Sequence, residues 1–286
     1  MTQKLKRLEM KSHNLLRLTQ KLYYNPLLLS KPSFDSITAY LDSRNNGRFQ
    51  YEDTESETEE QDSSEQEIEG IGVINVHGPL TYKATAWQAL CGGCSYEYII
   101  ELAEELAESG ARTIVLDIDS GGGEAYGAFS CANELRSLCD EYDIELLAYV
   151  DGACCSAAYA IACVADEIVT NLYSEVGSIG VLVCLHDTTK AMEDAGVKTV
   201  YITGGKDKVP FDTDGTFKKD FLSDLQYKVD FLYYEFVTHV SKYTGLQPEE
   251  IRDTEAKTFI APDALKLGLV NSVKTNNEFA AYVAAK

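Results

Sequence analysis

From Gly70 onward, short apolar runs alternate with amphipathic stretches, and that alternation leaves few folds open. "IGVINVHGPL" opens as a buried strand and ends at a Gly-Pro turn, and "SYEYIIELAEELAESG" spaces its apolar residues as a helix that stops at Gly110. "ARTIVLDIDSGGG" reads as a strand running into glycines, "EAYGAFSCANELRSLCDEY" as a helix, and "IELLAYVDG" as a strand. "CSAAYAIACVA" is a short helix of small residues and "DEIVT" a brief strand. "VGSIGVLVCL" and "KTVYIT" read as strands around the helix "TKAMEDAGV", and 216–244 as one long amphipathic helix. Strands joined by helices make a layered α/β domain of crossover units. The aromatic stripe on the long helix (Phe221, Tyr227, Phe231, Tyr234, Phe236) suits core packing or a subunit contact.

The segment ahead of Gly70 has another texture. Residues 1–50 form a basic, helical-looking arm in which Ser33 or Asp35 is placed to cap a helix carrying Ile37, Tyr40 and Leu41. Residues 51–69 are mostly acid, Ser and Gln, too poor in apolar surface to order themselves, and read as a disordered linker. Residues 70–275 form the main domain and 276–286 a helical tail. With 46 acidic against 25 basic residues the formal net charge is −21, which disfavours nucleic acid as a partner. No run approaches the length of a membrane span, and the first twenty residues lack a secretory pattern, so the expected setting is cytoplasmic and reducing. "CGGC", 91–94, has metal or redox spacing but no second pair and no suitably placed His. A glycine loop is the reading, and no metal or cofactor is expected.

The strand-to-helix junctions fall on one side of such a sheet, where loops carry function, and two of them stand out. In "DSGGGEAYG", 119–127, consecutive glycines let another backbone come close. In "DGACCSAAYA", 151–160, Ser156 sits among alanines at the first turn of a helix, where backbone N–H groups lack internal partners. A glycine loop and a helix start, each offering an amide, can form an oxyanion hole around a nucleophilic Ser156, with the Gly122 and Ala157 amides as donors. Taken alone, the motif is better read as an N-cap at Ser156 and a tight turn at the glycines. The base decides between them. His186 and Asp187 are adjacent in sequence, which seldom places the carboxylate behind the ring, and Asp187 is better read as a helix N-cap. "YITGGKDKVPF" offers Lys206 and Lys208 instead. An amine serves as base only when uncharged, and the residues alone leave this choice open.

Taken together and in order, "VLDIDSGGGEAYG", "VDGACCSAAYAIACVADEIVT", "EVGSIGV" and "ITGGKDKVPF" resemble the signal peptide peptidase family of serine–lysine proteases. The closing segment, with its Gly-Leu-Val, is similar too. The resemblance implies the spiral of ββα units shared with the Clp protease and the crotonases. It implies Ser156 as nucleophile, Lys208 as general base with Lys206 as rival, and Ser178 as the hydroxyl orienting the lysine. Gly122 and Ala157 would line the oxyanion hole, and Gly121 and Gly123 would border the substrate. Gly121 stands where many relatives have Pro, and Cys155 where Ala or Gly is common.

Within the family, the leading "YNPLLLSKPSFDSITAYL" and the stretch "HDTTKAMEDAGVKTVYITGGK" resemble the head maturation proteases of tailed phages and prophages. That implies capsid or scaffold proteins as substrates, a homo-oligomer, and action in the host cytoplasm or an assembling procapsid. Two other classes share the fold: an inert assembly scaffold and a crotonase-like acyl-CoA enzyme, the latter disfavoured by the lack of a candidate acid/base Glu at the strand ends.

Overall fold

The computed structural model describes residues 22–23, 25–45, 70–83, 93–212 and 215–286. The expected linker 51–69, most of the basic arm, and the Cys91–Gly92 half of "CGGC" lie outside the described residues. In chain order the elements begin with β1 (Leu27–Leu29), α1 (Lys31–Asn45), β2 (Ile71–His77), β3 (Leu80–Thr81) and β4 (Cys94–Ser95). There follow α2 (Tyr96–Glu108), β5 (Thr113–Ser120), β6 (Gly122–Glu124), α3 (Ala128–Tyr142), β7 (Glu145–Cys155), α4 (Ala157–Ala162), β8 (Glu167–Thr170) and β9 (Glu175–Gly177). The chain continues through α5 (Thr189–Asp194), α6 (Lys219–Thr244), α7 (Pro248–Arg252), β10 (Thr258–Ile260), α8 (Ala261–Lys266), β11 (Ser272–Val273) and α9 (Asn276–Val283).

The larger sheet is the expected parallel α/β core. β5 lies between β2 and β7, parallel to both, and its run Thr-Ile-Val-Leu is buried throughout, as a strand covered on both faces requires. β7 shares its other edge between two strands: Leu147–Val150 pair with β8, and Ala153–Cys155 with β9, all parallel. β11 extends the sheet from β8, and β10 closes it antiparallel to β9. One face carries α2, α3 and α4 around a core that includes Ile99, Leu116, Leu135 and Tyr159. On the other face α9 stacks Phe279 on Tyr149 with centroids 4.2 Å apart, over Val115, Leu147 and Val169. A smaller four-stranded sheet in the order β1-β6-β3-β4 sits beside the C-terminal ends of the parallel strands.

Several sequence expectations change in detail. β7 runs on to Cys155, so "GACC" is strand rather than loop, because β9 supplies its far half with a partner. "VGSIGVLVCL" pairs as a strand only over Glu175–Gly177. Ser178 then takes φ 53° and turns the chain, leaving isolated bridges at Leu182 and Cys184. "KTVYIT" is not a strand: it meets no sheet edge, and Ile202 is 97% exposed. β-branched residues favour a strand only when an edge is there to pair. The Gly-Leu-Val of the closing segment lies between α8 and β11, outside any strand, and β11 follows at Ser272–Val273. α1 begins at Lys31, so Ser33 and Asp35 lie inside it, and Ser30 Oγ accepts from the Ser33 amide at its start. Thr188 holds the N-cap position of α5, while Asp187 accepts from the Thr189 amide at 2.9 Å. On α6, Phe236 is buried while Tyr227, Phe231 and Tyr234 are exposed.

α6 is tied to the helix behind Ser156 by one buried group. The His239 Nε2–H donates to the Ala160 carbonyl at 2.8 Å, with Phe129 and Tyr243 against the ring. Burial holds this imidazole below its usual range, and Lys242 adds to the effect against the opposing hydrogen bond to Ala160. The unfolded chain therefore binds the proton more readily. The stability His239 contributes is present above about pH 6.5 and is lost as pH falls toward the lower folded value. Replacing His239 with Leu should cost about 1–2 kcal/mol at neutral pH. Urea denaturation between about pH 7.5 and 5 should also show a flatter loss of stability than in the wild type.

Candidate active site

Ser156 lies where β7 ends and α4 begins, and its backbone is strained. With φ 57° and ψ −117° it occupies a region that L-residues avoid, at a cost of about 1–3 kcal/mol. The strain is imposed from both ends. Upstream, Ala153–Cys155 are held between β5 and β9; downstream, the Ser156 carbonyl accepts the first helical bond, from the Ala160 amide at 3.0 Å. The Ser156 amide donates to the Gly177 carbonyl at 2.8 Å, which fixes the turn between them. The residue is fully buried, and its hydroxyl donates to the Gly180 carbonyl at 3.5 Å.

Gly122 faces this turn across a gap only glycine allows. Its φ is +98°, and a Cβ there would lie 2.9 Å from the Cys155 carbonyl oxygen and 3.0 Å from the Ala157 nitrogen. Ala157 is the first residue of α4, so its amide has no helical acceptor. The Gly122 amide donates to Ser120 Oγ at 3.1 Å, and Ser120 Oγ–H donates to the Gly78 carbonyl at 2.6 Å. The structure thus brings Ser156, Gly122 and Ala157 together as the sequence suggested. Gly123 packs against the backbone of Leu80, whose oxygen would lie 1.9 Å from a Cβ there, so it is crowded by scaffold. A Cβ at Gly121 would meet the Ser33 and Ser30 side chains.

The lysines stand apart. Lys206 and Lys208 lie in an exposed loop, with the Lys208 amide donating to Gly205 O at 3.3 Å and Lys218 Nζ holding the loop by the Lys206 and Val209 carbonyls. The single chain therefore places a buried Ser156 and an exposed Lys208 without joining them. Ser178, half-buried, packs with its amide donating to the Lys257 carbonyl at 2.8 Å. His186 stacks on Tyr23 with centroids 4.1 Å apart. Burial pushes the neighbouring Cys155 thiol up to about 12, so at neutral pH it is not a thiolate competing with the serine. Among the described residues no group of His, Cys, Asp and Glu is placed to hold a metal ion.

The peptidase family S49 model matches residues 140–286, a stretch that includes Ser156, Ser178 and both lysines. The chain belongs to peptidase family S49. This S49 chain is similar to the head-tail preconnector protein GP5 of enterobacteria phage P21, 30% identical over 72% of this chain and 41% of the relative. It is also similar to capsid assembly protease C of Escherichia phage lambda, 30% identical over 75% of this chain and 49% of that protein. The chain thus spans less than half the length of these two relatives. Among solved structures it resembles a ClpP1 variant from Listeria monocytogenes, with 12% identity, 71% and 91% of the two chains covered, and a TM-score of 0.46.

Around Ser156 the structure adds two residues to whose side chains sequence reading gave no role. Asp119 Oδ1 accepts from the Ala153 amide at 2.9 Å, and Ser174 Oγ accepts from Gly152 while donating to Val150 O. Together they shape the irregular stretch of β7 where its register against β5 shifts after Ile118. The only sequence signal was their place at strand ends. The backbone geometry of Ser156 yields a direct test. Ser156→Gly should be about 1 kcal/mol more stable than Ser156→Ala, since glycine adopts the same turn without strain. Equal unfolding free energies for the two variants in denaturant would show that the turn relaxes.

Proposed function

We propose that this chain is a serine endopeptidase working through a Ser156–Lys208 dyad. The observation that carries the reading is the strained, buried Ser156 set beside Gly122 and the unpartnered first amide of α4, in a member of a peptidase family. Neutral Lys208 takes the Ser156 proton, Ser156 attacks a peptide carbonyl, and the Ala157 and Gly122 amides stabilise the oxyanion, Gly122 turning its N–H from Ser120. The lysine then protonates the leaving amine, water hydrolyses the acyl-enzyme, and Ser178 orients the lysine.

The exposed lysine loop asks for a cover, and a second copy of the chain supplies one. Val200, Tyr201 and Ile202 stand exposed beside the loop, a surface suited to burial between subunits. The names of the two phage relatives support capsid or scaffold proteins as substrates, cut within an assembling head in the host cell. No described helix is long and apolar enough to cross a membrane. An inert assembly scaffold is the rival reading.

Ser156→Ala should abolish hydrolysis of an unfolded protein and labelling by a peptide-like acylating inhibitor, while the far-UV spectrum is unchanged. An inert scaffold would show neither activity in the wild type. Lys208→Ala should fall to background and Lys206→Ala stay within about threefold of wild type. Because the base acts uncharged, log kcat/KM should climb with a slope of about one toward mildly alkaline pH. Ile202→Asp should lower the oligomer mass in light scattering and the activity together.

A further inference from the structure

The way to Ser156 is already filled by the chain itself. β1 lies between two backbones and is bonded to both. On one side it pairs antiparallel with β6, Leu27 opposite Glu124, Leu28 opposite Gly123 and Leu29 opposite Gly122. On the other, Leu27 and Leu182 exchange both backbone hydrogen bonds, at 2.9 and 3.0 Å. The Ser30 amide continues the first ladder to the Gly121 carbonyl at 2.8 Å. An extended segment stitched along both edges is how a peptide sits in a β-lined slot.

Its register is that of something to be cut. The Leu28 carbonyl oxygen lies 2.2 Å from the point where a Gly122 Cβ would stand, and the Ala157 nitrogen lies 3.0 Å from the same point. The Leu28 carbonyl, opposite Gly123 in the ladder, thus lies beside Gly122 and the start of α4, next to the turn that carries Ser156. The Leu28 side chain is fully buried in the main core. Leu27 and Leu29 instead join a separate cluster with Leu22, Tyr23, Phe34 and Leu182. This alternation seats one side chain in the body of the domain, and it belongs to the residue whose carbonyl lies beside Gly122.

The glycine triplet matches the same segment. A Cβ at Gly121 would strike Ser33 Oγ, in the first turn of α1, at 1.9 Å and Ser30 Oγ, at the end of this segment, at 3.1 Å. Gly121 therefore fits closely against this chain's own leading residues.

Resting on Ser156 as nucleophile, we propose that Leu27–Ser30 occupies the peptide groove in substrate register and that the site cleaves its own chain after Leu28. Ser156 Oγ bonds to the Leu28 carbonyl carbon as its proton passes to the Lys208 amine. The Leu28–Leu29 C–N bond then breaks, and the lysine returns that proton to the Leu29 nitrogen. Water hydrolyses the Leu28 ester and restores the serine hydroxyl. The cut separates residues 1–28, frees the groove for other peptides, and marks leucine as a side chain the subsite before the scissile bond accepts.

The full chain, incubated at mildly alkaline pH, should yield by intact mass and N-terminal sequencing a species that begins at Leu29, absent from Ser156→Ala. Leu28→Asp should cut at less than about a tenth of the wild-type rate, since a carboxylate does not enter an apolar subsite. Leu28→Met, which conserves volume, should restore the cut. Hydrolysis of unfolded casein on the same samples separates the two claims. Casein digested with the Leu28–Leu29 bond intact overturns self-cleavage and leaves the peptidase standing. Casein untouched and Ser156 unlabelled by the acylating inhibitor overturns both.

Discussion

The forked edge of β7 is the constraint on which the rest depends. A strand that pairs with β8 along its first half and β9 along its second must bend between them, and the bend lies at Asp151–Gly152. Asp119 and Ser174 hold that bend by their side chains. Beyond it the chain is clamped until Cys155, so the reversal into α4 falls on a single residue, Ser156. The parallel sheet thus concentrates a turn's worth of strain at one hydroxyl and leaves the amide of the next residue unpartnered.

Much of this was legible in the chain. The order of β2, α2, β5, α3, β7, α4 and β8 follows from apolar periodicity, because each of these elements is buried on at least one face by its neighbours in sequence. The junctions at Gly121–Gly123 and Ser156 were legible because glycine runs and isolated small residues have few other uses there. Elements whose partners lie far away were not. The length of β7 depends on β9, twenty residues on, and "KTVYIT" has strand composition but no edge to join. Nor does local pattern reveal that Leu27–Leu29 pairs with residues almost a hundred positions later. A three-leucine run after Asn-Pro looks like the lead-in to a helix, and only the fold shows that it is also a strand.

The three glycines, identical in sequence, have three different neighbours. Gly123 lies on the scaffold at Leu80, Gly122 on the Ser156 turn, and Gly121 on the leading segment. The family resemblance implies Gly122 at the oxyanion hole and both Gly121 and Gly123 beside the substrate. Gly121 is in addition closely fitted to Ser30 and Ser33 of this chain. The loop of Lys206 and Lys208 is in the opposite circumstance: it is held by Lys218 yet open to solvent.

Six of the described cysteines, Cys94, Cys131, Cys139, Cys154, Cys155 and Cys163, are buried as free thiols, and burial raises the pKa of each, keeping it protonated. Sealed in this way they are packing atoms and not redox groups. Alkylating reagents and mild oxidants would find little to react with among them while the domain stays closed. Their modification would instead report that the sheet has opened, making the thiols a built-in gauge of the integrity of the core behind Ser156.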